Sequence, residues 1–202
     1  MNLQKFESSR LAQGSAGAWR EGTTGEFLTA IGEERLPTEA FERWLVQDYL
    51  FVRGLTQFMA ILISKTPRPA QKTLIAGLVA FDAELDWFEL HLSQRQLDLN
   101  ADAHPTCKRY VDYLLQLGYS QNFKVLLAAI YGVEVSYLYA WSALEAKGPY
   151  AEFITRWTTP EFASYVGELH DLCDTHPHPD QQRVFTEVMR HERDFWRMTW
   201  GY

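Results

Sequence analysis

Apolar residues recur every three or four positions along most of this 202-residue chain, and this spacing restricts the fold more than any other feature of the sequence. Residues at these intervals share one face of an α-helix, because a helix has about 3.6 residues per turn. No run of alternating β-branched residues bounded by turn signals is present, so we expect no β-sheet. The pattern is clearest over residues 38–64, where the apolar positions are Phe41, Trp44, Leu45, Tyr49, Leu50, Val52, Leu55, Phe58, Met59 and Leu62.

Prolines, glycines and capping residues divide this pattern into separate helices. Pro37 precedes the first predicted helix, and the segment 66–69, which contains two prolines, ends it. Gly118 is predicted to end the helix that starts at Pro105, and Ser120 is predicted to cap the next one. The predicted helices span residues 38–64, 70–96, 105–117, 120–148, 150–157, 160–174 and 180–200. Joined by short connections, they predict an all-α, compact bundle of seven to eight helices in a single domain, residues 1–202.

Composition excludes several classes of function. The formal net charge is −7, with 19 Lys and Arg scattered among 26 Asp and Glu, so the chain lacks the basic patch that nucleic acids require. No apolar run is long enough to span a membrane, and residues 1–12 have no apolar core of the signal-peptide type. We therefore expect a cytoplasmic protein with neither nucleic-acid nor membrane partners. Cys107 and Cys173 form no CxxC pair, so no zinc ribbon or redox dithiol is expected, and no cofactor.

Aromatic side chains are abundant in a chain that has no β pattern to use them. They make up 14% of the residues, and their flat faces favour a pocket for a planar ligand. Most of them are equally well explained as core residues.

Four acidic residues stand within otherwise apolar segments: Asp48, Glu84, Glu134 and Glu192. A buried carboxylate is costly, so each such residue is either paired or functional. Glu134 lies in the most apolar stretch, and with Tyr137 and Trp141 it forms one helical stripe of acid, phenol and indole. The remaining acids have alternatives on the helix surface, since Arg43 and Arg53 could pair with Asp48, and Arg193 neighbours Glu192. We predict that the four carboxylates meet in one dry cavity lined by rings.

Several segments, taken in order, resemble the TenA (thiaminase II) family and its branch without a nucleophilic cysteine. Residues 41–52 (FERWLVQDYLFV) are similar to the family's F..YL.QDY.F segment, and residues 84–88 (ELDWF) to the ELxWF of that branch. Residues 192–198 (ERDFWRM) are similar to its C-terminal E..FW.M. The other matching segments are 19–28, 109–114, 129–137 and 157–162.

The resemblance implies a heme-oxygenase-like helical bundle, assembled as a homodimer or homotetramer, that acts in thiamin salvage. It implies that Asp48 holds the amino group and ring nitrogen of an aminopyrimidine, and that Glu192 is a catalytic acid or base. The family's cysteine falls at or beside Gly132, so water must be activated directly, and Glu134 is the candidate base. The expected substrate is a formylamino- or aminomethyl-pyrimidine. The further residues expected to bind it are Phe51, Glu84, Trp87, Tyr110, Tyr137 and Trp157.

Two other interpretations remain open. Heme-oxygenase-like di-iron oxidases use an E-x6-H pair, a second Glu and an H-x3-D-x2-H cluster, and Glu84, His91, Glu134, His170 and Asp174 have the first five of these positions. Pro177 stands where the last histidine is required. Alternatively, the fold serves as a non-catalytic pyrimidine-binding or regulatory protein.

Overall fold

The computed structural model describes residues 3–201, and within that range every regular element is helical. This confirms the all-α prediction. In chain order the helices are α1 (Gln4–Glu7), α2 (Arg10–Gly14), α3 (Ala16–Thr23), α4 (Glu26–Gly32), α5 (Thr38–Lys65), α6 (Arg68–Gln94), α7 (Pro105–Ser120), α8 (Phe123–Ser142), a 3₁₀ helix (Gly148–Tyr150), α9 (Ala151–Arg156), α10 (Pro160–Thr175) and α11 (Gln181–Trp200).

The helices form two compact units. The first unit contains the residues up to 36 together with residues 124–200, and the second contains residues 37–123 with Gly201. In the second unit, α5 packs against both α6 and α7. In the first unit, α11 packs against α2, α3 and α4. The single domain predicted from the sequence stays a prediction.

The structure corrects the predicted role of Gly118, which lies inside α7 and does not end it. A Cβ at this position would lie 3.3 Å from Ile61 Cγ2 of α5. The glycine is therefore explained by close helix packing, which a single-sequence pattern does not distinguish from a helix end.

The predicted cap at Ser120 is also wrong, because Ser120 is the last residue of α7 and α8 begins at Phe123. The ammonium group of Lys65 donates to the carbonyl oxygens of Tyr119 at 3.2 Å and Gln121 at 2.9 Å. These contacts satisfy backbone acceptors that the end of a helix leaves open. At its other end α8 stops at Ser142, before the predicted boundary near Gly148.

Helix α8 forms the apolar centre of the first unit. From Val125 to Leu138 every residue is buried. Within residues 3–201 it is the one helix long and apolar enough to span a membrane by composition, and 83% of the relevant window is buried inside the protein.

Helices α3 and α11 approach closely at Gly22. The carbonyl oxygen of Gly22 accepts a hydrogen bond of 2.9 Å from the indole Nε1 of Trp196. A Cβ at Gly22 would lie 2.7 Å from the carbonyl oxygen of Met189, which belongs to the backbone of α11. A side chain at this position would therefore force the two helices apart.

Replacing Gly22 by alanine is expected to lower the free energy of unfolding by about 1–3 kcal/mol, because the backbone of α11 cannot move aside as a side chain could. Gly17→Ala is the matched control in the same helix, since nothing lies within 4 Å of its Cβ position. It should raise the free energy of unfolding by about 0.5–1 kcal/mol through helix propensity. Urea denaturation measures both values, and equal effects would contradict the close contact.

Candidate active site

Two acidic side chains are buried in the first unit, Glu134 on α8 and Glu192 on α11. Their exposed fractions are 6% and 1%. Glu134 is enclosed because nearly all of α8 is buried, and Glu192 because it lies on the apolar face of α11 with Phe195 and Trp196. Neither carboxylate faces bulk water, as the prediction of a catalytic pair in a dry cavity requires.

Four rings of the first unit form a closed cycle, in which each ring contacts the next. The ring centroids of Tyr137 and Trp196 are 5.2 Å apart, and those of Trp196 and Trp141 are 6.3 Å apart. Trp141 stacks on Trp157 at 5.2 Å, and Trp157 meets Tyr137 edge-on at 5.7 Å. We call this set the aromatic cycle. It supplies flat, apolar surface beside the buried acids.

Two contacts fix the register of α8 against α11. The Cβ position of Gly132 lies 2.9 Å from Val188 Cγ1, and Tyr137 contacts Trp196 five residues further along α8. Residue numbers increase together along both helices, so the helices run in the same direction. On α8, Glu134 lies between the two contact positions Gly132 and Tyr137. On α11, Glu192 lies between Val188 and Trp196. Glu134 and Glu192 therefore occupy the same level along two helices that contact each other.

Gly132 leaves no space for the thiol that the family resemblance places near this position. A Cβ there would lie 2.9 Å from Val188 Cγ1 and 3.4 Å from Phe185 Cδ2. A cysteine would therefore displace the side chains of Val188 and Phe185 on α11. The packing is thus consistent with chemistry that uses a carboxylate in place of a thiolate.

The second unit holds a further predicted set of residues around Asp48 of α5, which is 1% exposed. Phe51 lies one helical turn after Asp48, and its ring centroid is 4.6 Å from that of Tyr110 on α7. Cys107, one turn before Tyr110, donates its Sγ hydrogen to the carbonyl oxygen of Gln47 at 3.4 Å. Burial, with a smaller effect of the Asp48 charge, raises the pKa of the Cys107 thiol to about 12. Asp48, Phe51 and Tyr110 therefore form one buried cluster.

Glu84 and Trp87 are only half-buried on α6. The ring of Trp87 contacts those of Phe88 at 5.2 Å and His91 at 4.4 Å. The binding roles predicted for Glu84 and Trp87 stay predictions, as do the roles of the buried residues in the two units.

A family model described as the TENA/THI-4/PQQC family matches residues 15–202. The chain belongs to this family. The TenA resemblance inferred from the sequence is therefore confirmed.

Two relatives of this TenA family member have descriptive names. It is 24% identical over 199 residues to the "Probable bifunctional TENA-E protein" of Glycine max, covering 89% of this chain and 86% of that one. It is also 24% identical over 216 residues to the "Aminopyrimidine aminohydrolase" of Helicobacter pylori, covering 96% of this chain and 98% of that one.

A solved TenA homologue from Pyrococcus furiosus superposes with a TM-score of 0.88 at 29% sequence identity, covering 98% of this chain and 100% of that chain. The TenA family member therefore has the all-α, heme-oxygenase-like fold expected from the sequence.

The di-iron interpretation receives no support from the described part of this TenA family member. Across residues 3–201, no group of three or more His, Cys, Asp and Glu side chains is placed to hold a metal ion. His170 Nδ1 lies 3.0 Å from Asp171 Oδ1, and its Nε2 lies 3.6 Å from Asp174 Oδ2. His91 Nδ1 lies 3.3 Å from the guanidinium of Arg95. The two histidines are thus engaged by neighbours on their own helices.

Trp141 and Trp196 of this TenA family member were not among the predicted binding residues, although both rings belong to the aromatic cycle. Trp141 lies on the stripe of Glu134 and Tyr137, and Trp196 follows Glu192 by four residues on α11. Trp196 could have been predicted from its position one helical turn after the acidic residue Glu192, since residues at this spacing share a helix face.

Proposed function

We propose that this protein is a cysteine-independent hydrolase of thiamin salvage, which cleaves a C–N bond of a formylamino- or aminomethyl-pyrimidine. The observation that carries this proposal is the pair of buried carboxylates, Glu134 and Glu192, at one level of two parallel helices beside the aromatic cycle. The name of the Helicobacter pylori relative adds support for an aminopyrimidine as substrate.

Glu134 acts as the general base and Glu192 as the general acid. With an aminomethyl-pyrimidine, Glu134 takes a proton from water as the water oxygen bonds to the methylene carbon. The C–N bond breaks, its electron pair stays on nitrogen, and Glu192 donates the proton with which ammonia leaves. With a formylamino-pyrimidine whose formylamino group is carried on the ring methylene, the same water adds to the formyl carbon as Glu134 takes its proton. The amide C–N bond then breaks, Glu192 protonates the leaving nitrogen, and formate and the aminomethyl-pyrimidine are released.

The aromatic cycle supports this chemistry by keeping bulk water from the carboxylates. Proton transfer to and from a carboxylate is most effective when the reacting groups are held in place and few competing waters are present. Tyr137 and Trp196 each lie one helical turn after a carboxylate, so movement of either ring would disturb the acid beside it.

We also propose the cytoplasm as the location of this activity and a homodimer or homotetramer as its assembly. The location follows from the composition of the chain, and the assembly follows from the family resemblance. Nucleic acids are not proposed as partners, because the net charge is −7 and no basic cluster is evident in the sequence.

Steady-state assays with the two pyrimidines test the proposal. Ammonia release from the aminomethyl-pyrimidine, or formate release from the formylamino-pyrimidine, is the expected result with purified protein. Tight binding of either compound without turnover would overturn the hydrolase and favour the regulatory interpretation. Iron-dependent oxidation by protein expressed with added iron would instead favour the oxidase.

Asp48→Asn is expected to raise the Kd of the aminopyrimidine about 10- to 100-fold. A carboxylate accepts charge-assisted hydrogen bonds from an amino group and a protonated ring nitrogen, and such bonds are worth about 1.5–3 kcal/mol. Isothermal titration calorimetry measures the change. Asp112→Asn is the control in the same unit, because its carboxylate is exposed and pairs with Lys108 on the surface. Unchanged affinity in Asp48→Asn would remove Asp48 from the binding site.

A further inference from the structure

Helix α6 carries most of the large apolar side chains that are exposed within residues 3–201. Four large apolar side chains are exposed within residues 3–201, and three of them lie on α6: Ile75 at 39%, Val79 at 65% and Leu90 at 55%. Exposed apolar side chains that are grouped on one face commonly mark an interface.

Eight exposed residues of α6 share one face. At about 100° per residue, they fall within an arc of about 120° centred on Val79. Small residues stand between the larger ones, so the backbone of another helix can approach closely. We call this surface the α6 face, and its members are Lys72, Ile75, Ala76, Val79, Asp82, Ala83, Asp86 and Leu90.

The α6 face is complementary to itself when a second copy is placed antiparallel about a two-fold axis at Val79. Positions at equal distances before and after Val79 then meet across the axis. Ile75 of each copy lies opposite Ala83 of the other, which places a large side chain against a small one. Val79 meets Val79 at the centre.

The charges on the α6 face match in the same register. Lys72 lies seven residues before Val79 and Asp86 lies seven residues after it, so each Lys72 faces an Asp86 of the second copy, twice in the dimer. Both side chains are exposed, and neither takes part in a hydrogen bond or ion pair within the described residues. They are therefore available to pair between copies. Opposite charges at matched positions fix register and orientation in helix pairs.

We propose that the α6 face binds the α6 face of a second copy of this chain, antiparallel and about a two-fold axis at Val79, with Lys72 of each copy paired to Asp86 of the other. This assigns an interface and a register to the homo-oligomer proposed above, on which it rests, and it is independent of the proposed hydrolase chemistry.

Analytical ultracentrifugation of full-length protein over a range of concentrations tests the apolar part of the interface. The wild type should form a dimer or a larger even-numbered assembly. Val79→Arg should raise the dimer Kd at least about tenfold, because two guanidinium groups then meet at the axis. Tyr119→Arg is the control, since Tyr119 is 76% exposed on α7 and lies outside the α6 face. Its Kd should match that of the wild type.

Charge reversal tests the register and does not depend on Val79. Lys72→Glu and Asp86→Lys should each raise the Kd about fivefold, because like charges then face each other twice. The double variant that combines both changes restores opposite charges, and its Kd should return to within about twofold of the wild type. A monomeric wild type, an unchanged Kd in Val79→Arg, or a double variant as weak as the single ones would overturn the proposal.

Discussion

Glu134→Gln is expected to lower kcat for aminopyrimidine hydrolysis by about 100- to 10,000-fold, the range that a general base contributes. Glutamine keeps the size of the side chain and can still hydrogen bond within the buried first unit, but it cannot accept the proton of the attacking water. Substrate affinity should change only a few-fold, because the proposed role of Glu134 lies in the reaction and not in ground-state binding. Single-turnover kinetics combined with calorimetric Kd values measures the two effects separately.

Glu192→Gln provides the companion measurement, and Glu187→Gln provides the control on the same helix. If Glu134 and Glu192 serve one turnover, the double variant should lose little more activity than the worse single variant. Glu187 is half-exposed and forms an ion pair with Arg190, so its substitution should leave kcat nearly unchanged. Activity of Glu134→Gln within a few-fold of wild type would remove Glu134 from the mechanism.

The long helices could be predicted from the sequence because their buried faces extend over several turns. In α5 the apolar spacing continues from Phe41 to Leu62, and the predicted helix matches the observed Thr38–Lys65 closely. Helices α1 to α4 have between four and eight residues each. Such short segments contain too few turns for a period to appear, and they depend on packing against the rest of their unit.

The parts of the candidate site that could be predicted are those whose burial follows from the composition of a single helix. Glu134 lies in α8, whose composition is apolar on all sides, so its burial could be read from the sequence. The pairing of Tyr137 with Trp196 could not, because it depends on how α8 packs against α11. The environment of Glu84 could not be predicted in this way, because three other acids of its helix, Asp82, Asp86 and Glu89, are exposed. Glu84 itself is half-buried.

The absence of a nucleophilic cysteine leads to a prediction for the two thiols. Both should react with a thiol reagent at pH about 8 roughly a thousandfold more slowly in the folded protein than in denaturant. Burial, aided by the charge of Asp48, raises the pKa of Cys107 to about 12, whereas an unfolded cysteine has a pKa of about 8.5. Burial, aided by the charge of Asp174, raises the pKa of Cys173 as well. Only the thiolate reacts, and it is scarce in the folded state.

Alkylation therefore distinguishes this mechanism from one that uses a thiolate. Protein treated with iodoacetamide under native conditions should keep its hydrolase activity, whereas rapid loss of activity with modification of one thiol would contradict a carboxylate mechanism. The same pKa shifts give the sign of a stability effect. Because folding raises both thiol pKa values, their contribution is fully present below pH about 8.5 and is lost as the pH rises above that value. Alkali should thus begin to destabilise the fold at a pH well below the value of about 12 at which the Cys107 thiol of the folded protein becomes reactive.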